Sequence, residues 1–214
     1  MILGIDTSSA LTSVAVIDDD GEVVIAREHV DPRRHAEVIG PMLAEVVAGA
    51  PRASVVACGV GPGPYTGLRV GIATALAVGA GWGVPVHGLC SLDAVVAQAR
   101  AGMPGQPITV AVDARRSEVY WARYDVEGRR VEGPRVGPAA DAEADAVTSH
   151  PHAVWVARRV LELLREGRVP SNVNAPLDAH GADTGATADA LAGAELLVPR
   201  PLYLRRPDAV AAVP

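Results

Sequence analysis

The chain contains two copies of one pattern: an apolar strand ending in an aspartate, a tight turn, a second strand, a charged turn with glycine, and a third strand. The first copy is ILGIDTSSALTSVAVIDDDGEVV, from residue 2, and the second is ITVAVDARRSEVYWARYDVEGRRV, from residue 108. The interval from Asp6 to Gly21 equals the interval from Asp113 to Gly128. We interpret the repeat as an internal duplication, which predicts two related structural units.

Helices and further strands follow the first copy of the pattern. Apolar residues recur with a helical period over residues 35–48, where Pro41 predicts a kink or a late start. VVACGV and PVHGL are predicted strands, with a small-residue helix over residues 67–80 between them. SLDAVVAQAR is the next predicted helix, with Ser91 as its N-cap. Three antiparallel strands followed by crossover helices predict a mixed α/β sheet, which is the element order of a ribonuclease-H-like unit.

The second copy predicts a unit of the same kind, with less support beyond its three strands. Residues 153–166 have the pattern of an amphipathic helix, and PLYLRRPDA near the end has that of a strand. The rest of residues 137–198 carries few apolar anchors and is predicted to contain a long loop. We therefore predict an N-terminal unit over residues 1–101 and a degenerate C-terminal unit over residues 102–214.

The composition excludes several kinds of chemistry. The chain has no lysine, so all 19 basic residues are arginines. This excludes a P-loop lysine, a Schiff-base lysine and a Ser-Lys dyad. The formal net charge of −6 disfavours a surface that holds nucleic acid by phosphate neutralisation alone.

Cysteine usage and hydropathy indicate the cellular compartment of the protein. Cys58 and Cys90 lie in apolar strand contexts and are predicted to be buried free thiols, which is typical of a reducing compartment. The uncharged stretch over residues 70–92 is long enough to span a bilayer, but its glycines and Pro85 favour a helix, a turn and a strand. The N-terminus lacks the basic region of a signal peptide. We expect a cytoplasmic protein without a membrane partner.

Four motifs occur in one order along the chain: IDTSS at the N-terminus, then GPGPYTGLRVG, DARRSEVYWARY and PLYLRR. Together they resemble the TsaB (YeaZ) family, whose relatives were formerly called glycoproteases, over residues 1–126 and 199–208. The resemblance implies two ribonuclease-H-like units of the actin-like ATPase and sugar-kinase superfamily. It also implies a non-catalytic subunit required to form threonylcarbamoyladenosine next to the tRNA anticodon. The implied partners are a TsaD-type catalytic paralogue and a TsaE-type ATPase, with tRNA bound only within the complex.

The residues of the chain itself agree with an accessory role. None of the six histidines has the H-x-x-x-H spacing of two metal ligands on one helical face, so we expect no metal. His150 and His152 flank Pro151 and are interpreted as surface loop residues. The chain has no G-x-S-x-G nucleophile elbow. We expect no required cofactor and no catalytic residue.

The turns that would hold phosphates lack the glycines that such turns normally use. Weak nucleotide or anion binding stays open, and its candidate residues are Asp6, Thr7, Ser8, Gly61, Gly63, Thr66, Asp113 and Arg115. The alternative, which we favour, is that the two aspartates accept hydrogen bonds from the N–H groups of their own turns. Arginines that would contact tRNA within a complex are Arg115, Arg116, Arg205 and Arg206.

The GPGPYT turn is expected to fix the following helix, with Thr66 as its cap, as a docking surface. Gly67 and Gly71 would leave a groove for a partner helix, and a helix that is apolar all round must be covered all round. The resemblance implies docking through this helix and helix 35–48, at residues His35, Val38, Ile39, Met42, Gly67, Leu68, Gly71, Ile72, Ala75 and Leu76. The alternative is that helix 35–48 covers this face within the chain.

Two other functions remain as alternatives to the accessory role. One is an active ATPase or small-molecule kinase of the actin-like superfamily, which would need a competent phosphate site. The other is a self-associating homodimer that uses the same helices. The second alternative can coexist with binding to a TsaD-type partner.

Overall fold

Two sheets form the framework of the chain, one for each predicted unit. The computed structural model describes residues 1–103, 105–142, 147–168 and 196–204. The first sheet has the order β3-β2-β1-β4-β5, with β1 antiparallel to β2 and parallel to β4. Its strands are β1 (Ile2–Asp6), β2 (Leu11–Ile17), β3 (Val23–Val30), β4 (Val55–Gly59) and β5 (Val86–Leu89).

The second sheet repeats this arrangement without the fifth strand in the described part of the chain. Its order is β8-β7-β6-β9, with β6 antiparallel to β7 and parallel to β9. Its strands are β6 (Ile108–Asp113), β7 (Glu118–Tyr124), β8 (Arg130–Pro138) and β9 (Val147–Thr148). The topology of the two sheets confirms the predicted α/β fold class of two ribonuclease-H-like units, the second degenerate.

Helices cover both faces of the first sheet. The helices are α1 (His35–Ala48), α2 (Tyr65–Trp82), α3 (Ser91–Arg100) and α4 (Ala153–Arg165). Successive side chains of a strand point to opposite faces, so Leu3 and Ile5 join the core under α1 and α2, while Ile2 packs with α4. Helix α4 follows the second sheet in the chain yet packs on the first sheet and on α3. The division at residue 101 therefore stays a prediction.

Several local predictions are corrected by the structure. Helix α2 begins at Tyr65 after Pro64, so Thr66 lies inside the first turn and does not cap it. Helix α3 begins at Ser91 after Cys90, and the Ser91 hydroxyl bonds to Asp6 instead of capping. Helix α1 runs through Pro41 from His35, so the start is not late.

The remaining local predictions concern the thiols, the uncharged stretch and the C-terminal strand. Cys58 and Cys90 are buried free thiols, as expected. Helix α2 ends at Gly83 in the left-handed region before β5 begins, which confirms the helix, turn and strand over residues 70–92. No helix in the described ranges is long and apolar enough to cross a membrane. Within residues 196–204, Leu197 makes an isolated antiparallel bridge to Gly88, and the predicted C-terminal strand does not form there. The rest of that predicted strand and the predicted long loop over residues 171–190 lie outside the described part of the chain.

Candidate functional site

The aspartate at the end of β1, the first aspartate of the repeated pattern, lies in a network of hydrogen bonds. Asp6 is fully buried. Its Oδ1 accepts hydrogen bonds from the Ser8 N–H, at 2.8 Å, and the Ser8 hydroxyl, at 2.7 Å. Its Oδ2 accepts the Ser91 hydroxyl at 2.8 Å. In the second hairpin, Asp113 Oδ1 accepts the Arg115 N–H at 2.9 Å. Both aspartates therefore bind N–H groups of their own turns, as the favoured interpretation predicts.

The GPGP turn is held against this network by Ser91. The Gly61 N–H donates to the Ser91 hydroxyl oxygen at 3.1 Å, and the Ser91 N–H donates to the Gly61 carbonyl at 2.8 Å. A Cβ at Gly63 would overlap the Ser8 carbonyl oxygen, so only glycine allows the turn to lie this close. The glycines of the turn thus serve close packing between the first hairpin and the start of α2.

The predicted anion site is only partly assembled. Asp6, Thr7, Ser8, Gly61 and Gly63 come together, but several of their polar groups are already bound within the chain. The Ser8 hydroxyl donates to Asp6, the Thr7 hydroxyl donates to the Gly67 carbonyl at 2.7 Å, and the Gly61 N–H donates to the Ser91 hydroxyl. The other three candidates are exposed: Thr66, Asp113 and Arg115. Weak nucleotide binding stays a prediction, and this geometry adds no support to it.

Burial changes the protonation of the Asp6 carboxyl. It raises the pKa of Asp6 from the ordinary value of 3.8 to about 6, because an apolar environment disfavours the charged form. Hydrogen bonds from Ser8 and Ser91 act in the opposite direction but do not cancel the effect of burial. The carboxylate is therefore charged at neutral pH at some expense to stability.

We expect Asp6→Asn to remove a pH dependence from the stability of the protein. Since the folded-state pKa is raised, Asp6 stabilises the fold most below pH 3.8, and this contribution is lost as the pH rises through about 6. The difference corresponds to about 3 kcal/mol. Denaturant titrations of both proteins from pH 4 to 8 should show the wild-type free energy of unfolding falling relative to that of the variant.

The control for the Asp6 experiment is Asp113→Asn, the equivalent substitution in the second hairpin. It tests the effect of an aspartate-to-asparagine change at an exposed turn position. Parallel curves for wild type and Asp6→Asn across the whole pH range would show that burial of this carboxyl does not govern the pH dependence.

The second hairpin has a strained backbone. Arg115, Arg116 and Ser117 have φ values of 62°, 57° and 62°, in the left-handed region that glycine normally occupies. A left-handed conformation costs roughly 1–2 kcal/mol per non-glycine residue. The side chains of Arg115 and Arg116 are exposed on this turn. Two of the four arginines predicted to contact tRNA thus lie at exposed positions, and Arg205 and Arg206 lie outside the described residues.

His35 belongs to the interior, although it was predicted to contact a partner. Its Nδ1 lies 2.7 Å from the Thr12 hydroxyl oxygen of β2, and the residue is buried. Burial lowers the pKa of His35, and the positive charge of Arg115 shifts it in the same direction. His35 thus anchors the start of α1 to the first sheet, close to the second hairpin.

The structure places most of the predicted docking residues in the chain's own core. Leu68 and Ile72 are 0% and 4% exposed. The buried members of the set are His35, Ile39, Met42, Gly67, Leu68, Gly71, Ile72 and Ala75, while Val38 and Leu76 are half-buried at the edge. This corrects the expectation that this side of α2 faces a partner. The alternative, that the face is covered within the chain, describes the structure better.

Gly67 and Gly71 allow close approach of the first hairpin and not of a partner helix. A Cβ at Gly67 would lie 2.6 Å from the Thr7 carbonyl oxygen, and one at Gly71 would overlap the Thr7 hydroxyl. Both glycines therefore bring α2 against the end of β1. The expected groove for an external helix is filled by Thr7.

The two helices also carry small residues that are exposed, while their exposed charged residues are Glu37 and Glu45 of α1 and Arg69 of α2. We call these small residues the small-residue face; they are Gly40, Pro41 and Ala44 of α1 and Ala73, Ala77, Ala80 and Gly81 of α2. The helices pack side by side. The period of Ala73, Ala77 and Ala80 is visible in the sequence, but most of the predicted docking residues of α2 lie on its other, buried side.

His150 and His152 join the start of α4 to the first sheet. His150 Nδ1 lies 3.1 Å from the Ser9 hydroxyl oxygen, and His152 Nδ1 lies 2.5 Å from Glu28 Oε1. Both lie on the loop before α4 and are partly exposed, as their interpretation as surface loop residues predicts, and both also contact the first unit. Among the residues that the structure describes, no group of three or more side chains is arranged to hold a metal ion.

Comparison with known proteins gives consistent matches. A family model described as "TsaD: tRNA N6-adenosine threonylcarbamoyltransferase" matches residues 26–162. An uncharacterized protein of Mycobacterium tuberculosis is 40% identical, covering 97% of this chain and 93% of its own. The tRNA threonylcarbamoyladenosine biosynthesis protein TsaB of Escherichia coli is 34% identical, covering 58% of this chain and 54% of its own. The structure of YeaZ from Pseudomonas aeruginosa has a TM-score of 0.69 at 23% identity, covering 83% of this chain and 98% of its own, and shows the shared fold.

Proposed function

The chain belongs to the TsaB (YeaZ) family, and on this premise we propose that it is a non-catalytic subunit in the formation of threonylcarbamoyladenosine in tRNA. The modified base is the adenosine next to the anticodon. The chain binds and supports a TsaD-type threonylcarbamoyltransferase in the cytoplasm. A TsaE-type ATPase joins the pair, and tRNA is bound within the complex.

The small-residue face is the observation that carries this proposal. A helix on a protein surface normally presents charged and polar side chains to water. Of the exposed residues on α2, Arg69 is the charged one; the others are Thr66, Ala73, Ala77, Ala80 and Gly81. Small side chains let a second protein approach the helix backbone closely. We assign this face, bordered by the half-buried Val38 and Leu76, as the contact with the TsaD-type partner.

The arrangement of the two hairpins supports a role without chemistry of its own. In the first hairpin, both oxygens of Asp6 accept hydrogen bonds from groups of the same chain. In the second, arginine and serine occupy left-handed positions that glycine would take in an open phosphate-binding turn. A nucleotide would have to displace internal contacts at the first hairpin and the side chains at the second.

The test is reconstitution of tRNA modification. TsaD-type and TsaE-type proteins from the same organism are combined with ATP, unmodified tRNA and threonylcarbamoyl adenylate, with and without this chain. Mass spectrometry of the digested tRNA should detect threonylcarbamoyladenosine only when the chain is present. The chain alone should neither modify tRNA nor turn over ATP.

Two results would contradict the proposal. One is full modification in the absence of the chain. The other is robust ATP turnover by the purified chain that Asp6→Ala abolishes, which would favour the ATPase or kinase alternative.

A further inference from the structure

Two tyrosines and one arginine form a cluster at the start of α2 and join two motifs that lie far apart in the sequence. Tyr65 and Arg69 belong to GPGPYTGLRVG, and Tyr203 belongs to PLYLRR. The rings of Tyr65 and Tyr203 stack, with centroids 4.8 Å apart. Arg69 Cζ lies 4.0 Å from the centroid of the Tyr65 ring, and Arg69 Nε donates to the Tyr203 hydroxyl at 3.0 Å. A ring and a hydroxyl therefore hold the guanidinium in one orientation.

Backbone hydrogen bonds fix the segment that carries Tyr203. Leu197 exchanges two hydrogen bonds with Gly88 of β5, both at 2.8 Å. The Leu202 N–H donates to the Val60 carbonyl at 2.8 Å, directly before the GPGP turn, and the Leu202 side chain is buried in the core. Tyr203 thus reaches α2 from a segment that is anchored to the first sheet.

Arg69 lies on the same side of α2 as the small-residue face. It precedes Ala73 by four residues, and side chains four apart are neighbours on a helix surface. The Arg69 side chain is exposed, and no carboxylate of the described ranges pairs with it. A guanidinium has five N–H donors, of which Tyr203 binds one. Because its rotamers are already restricted, Arg69 loses less conformational entropy when a further group binds.

We propose that Arg69 binds a carboxylate of the TsaD-type protein, and that Tyr203 is the residue that positions it. The inference rests on the proposed function, since it takes the small-residue face as the partner contact. Small side chains permit close approach, but they carry no charge that selects a partner. A guanidinium at the end of the face binds a carboxylate through paired, charge-assisted hydrogen bonds and so sets specificity and register. A protein carboxylate is favoured over a tRNA phosphate because Arg69 adjoins the protein contact and the formal net charge is −6.

The experiment is titration calorimetry of the full chain with the TsaD-type protein at several salt concentrations. Arg69→Gln should weaken binding about tenfold or more and reduce its salt dependence, because charge-assisted hydrogen bonds are lost. The control is Arg52→Gln. The Arg52 guanidinium also lies over an aromatic ring of α2, 5.7 Å from the centroid of Trp82, but on the side of the helix opposite Ala73. This substitution should change the affinity less than about twofold.

A second variant tests the role of Tyr203. Tyr203→Phe keeps the ring that stacks on Tyr65 and removes the hydroxyl that accepts from Arg69. It should weaken binding about two- to fivefold in the wild-type background and leave the affinity of the Arg69→Gln protein unchanged. Equal weakening in both backgrounds would show that Tyr203 does not act through Arg69.

Thermal melting of each variant checks its folding. If Arg69→Gln melts early, Arg69→Lys replaces it, because lysine keeps the charge and loses the paired donors. Ala73→Arg in the same series separates the two proposals: loss of binding by Ala73→Arg together with full binding by Arg69→Gln would overturn only the Arg69 assignment. No binding by the wild-type chain would overturn both. An Arg69→Gln protein that binds its partner normally but lowers tRNA binding by the complex would assign the cluster to RNA, which also overturns the carboxylate proposal.

Discussion

Replacing Ala73 with arginine is expected to leave the chain folded and to weaken its binding to a TsaD-type partner by at least about 100-fold. Ala73 is exposed at the centre of the small-residue face, so the new side chain has room in the free protein. In the complex, the guanidinium would be held in an apolar contact without a partner charge, which typically costs about 3–5 kcal/mol. The affinity for the TsaD-type protein, measured by titration calorimetry, and the yield of modified tRNA should both fall.

The adjacent substitution, Ile72→Arg, is the matched control for this prediction. Ile72 is 4% exposed and belongs to the core under α2. The same charge placed one residue earlier should therefore unfold or aggregate the protein instead of acting on binding. Undiminished partner binding by a folded Ala73→Arg protein would remove the docking assignment.

Analytical ultracentrifugation of the chain alone tests the remaining alternative, a homodimer that uses the same helices. A homodimer that dissociates on Ala73→Arg would show that a second copy of the chain uses the same face. A monomer before and after the substitution would leave the TsaD-type protein as the occupant.

Replacing Gly71 with alanine is expected to lower the free energy of unfolding by at least about 2 kcal/mol. In an isolated helix, alanine at this position would be favourable by about 1 kcal/mol. Here the new methyl group overlaps the Thr7 hydroxyl, which donates to the Gly67 carbonyl in the buried contact between β1 and α2. Either the hairpin moves away from the helix or this hydrogen bond is lost. Denaturant titration measures the change.

Gly40→Ala is the control for Gly71→Ala. Gly40 lies in the interior of α1, and a Cβ there would meet no atom within 4 Å. This substitution should stabilise the protein by about 0.5–1 kcal/mol through helix propensity.

A double substitution identifies the contact responsible. Thr7→Ala removes the hydroxyl that Gly71→Ala would displace, so the two effects should couple by about 1 kcal/mol or more in a double-mutant cycle. Additive effects, or stabilisation by Gly71→Ala itself, would show that Thr7 does not set the need for glycine.

The order of strands and helices was predictable because it depends on local periodicity. Apolar runs predicted β1 to β8 but not the two-residue β9, and the helical period over residues 35–48 gave the observed bounds of α1. The repeated position of Asp6 and Asp113 also predicted two hairpins of one kind, and both aspartates bind their turns as the pattern indicates. These features need only residues that are near one another in the chain.

The direction in which α2 faces could not be decided from its sequence. Its residues are apolar or small on all sides, so the period does not distinguish the buried Ile72 from the exposed Ala73. The packing of Thr7 against Gly67 and Gly71 determines which side is buried, and Thr7 lies far away in the chain. The buried side of α2 is therefore set by this long-range contact and not by the helical period.

The amino-acid sequence by itself determined the two-unit α/β architecture, the free thiols, and the absence of lysine chemistry, because each follows from residue type and local spacing. Only the tertiary structure decided that Ser91 bonds to Asp6 instead of capping its helix, since that contact joins two distant segments. The same is true of the buried cluster of Asp93, Tyr124 and Arg130, whose members come from α3, β7 and β8. Long-range packing brings such charges together, and no periodic pattern along the chain encodes that arrangement.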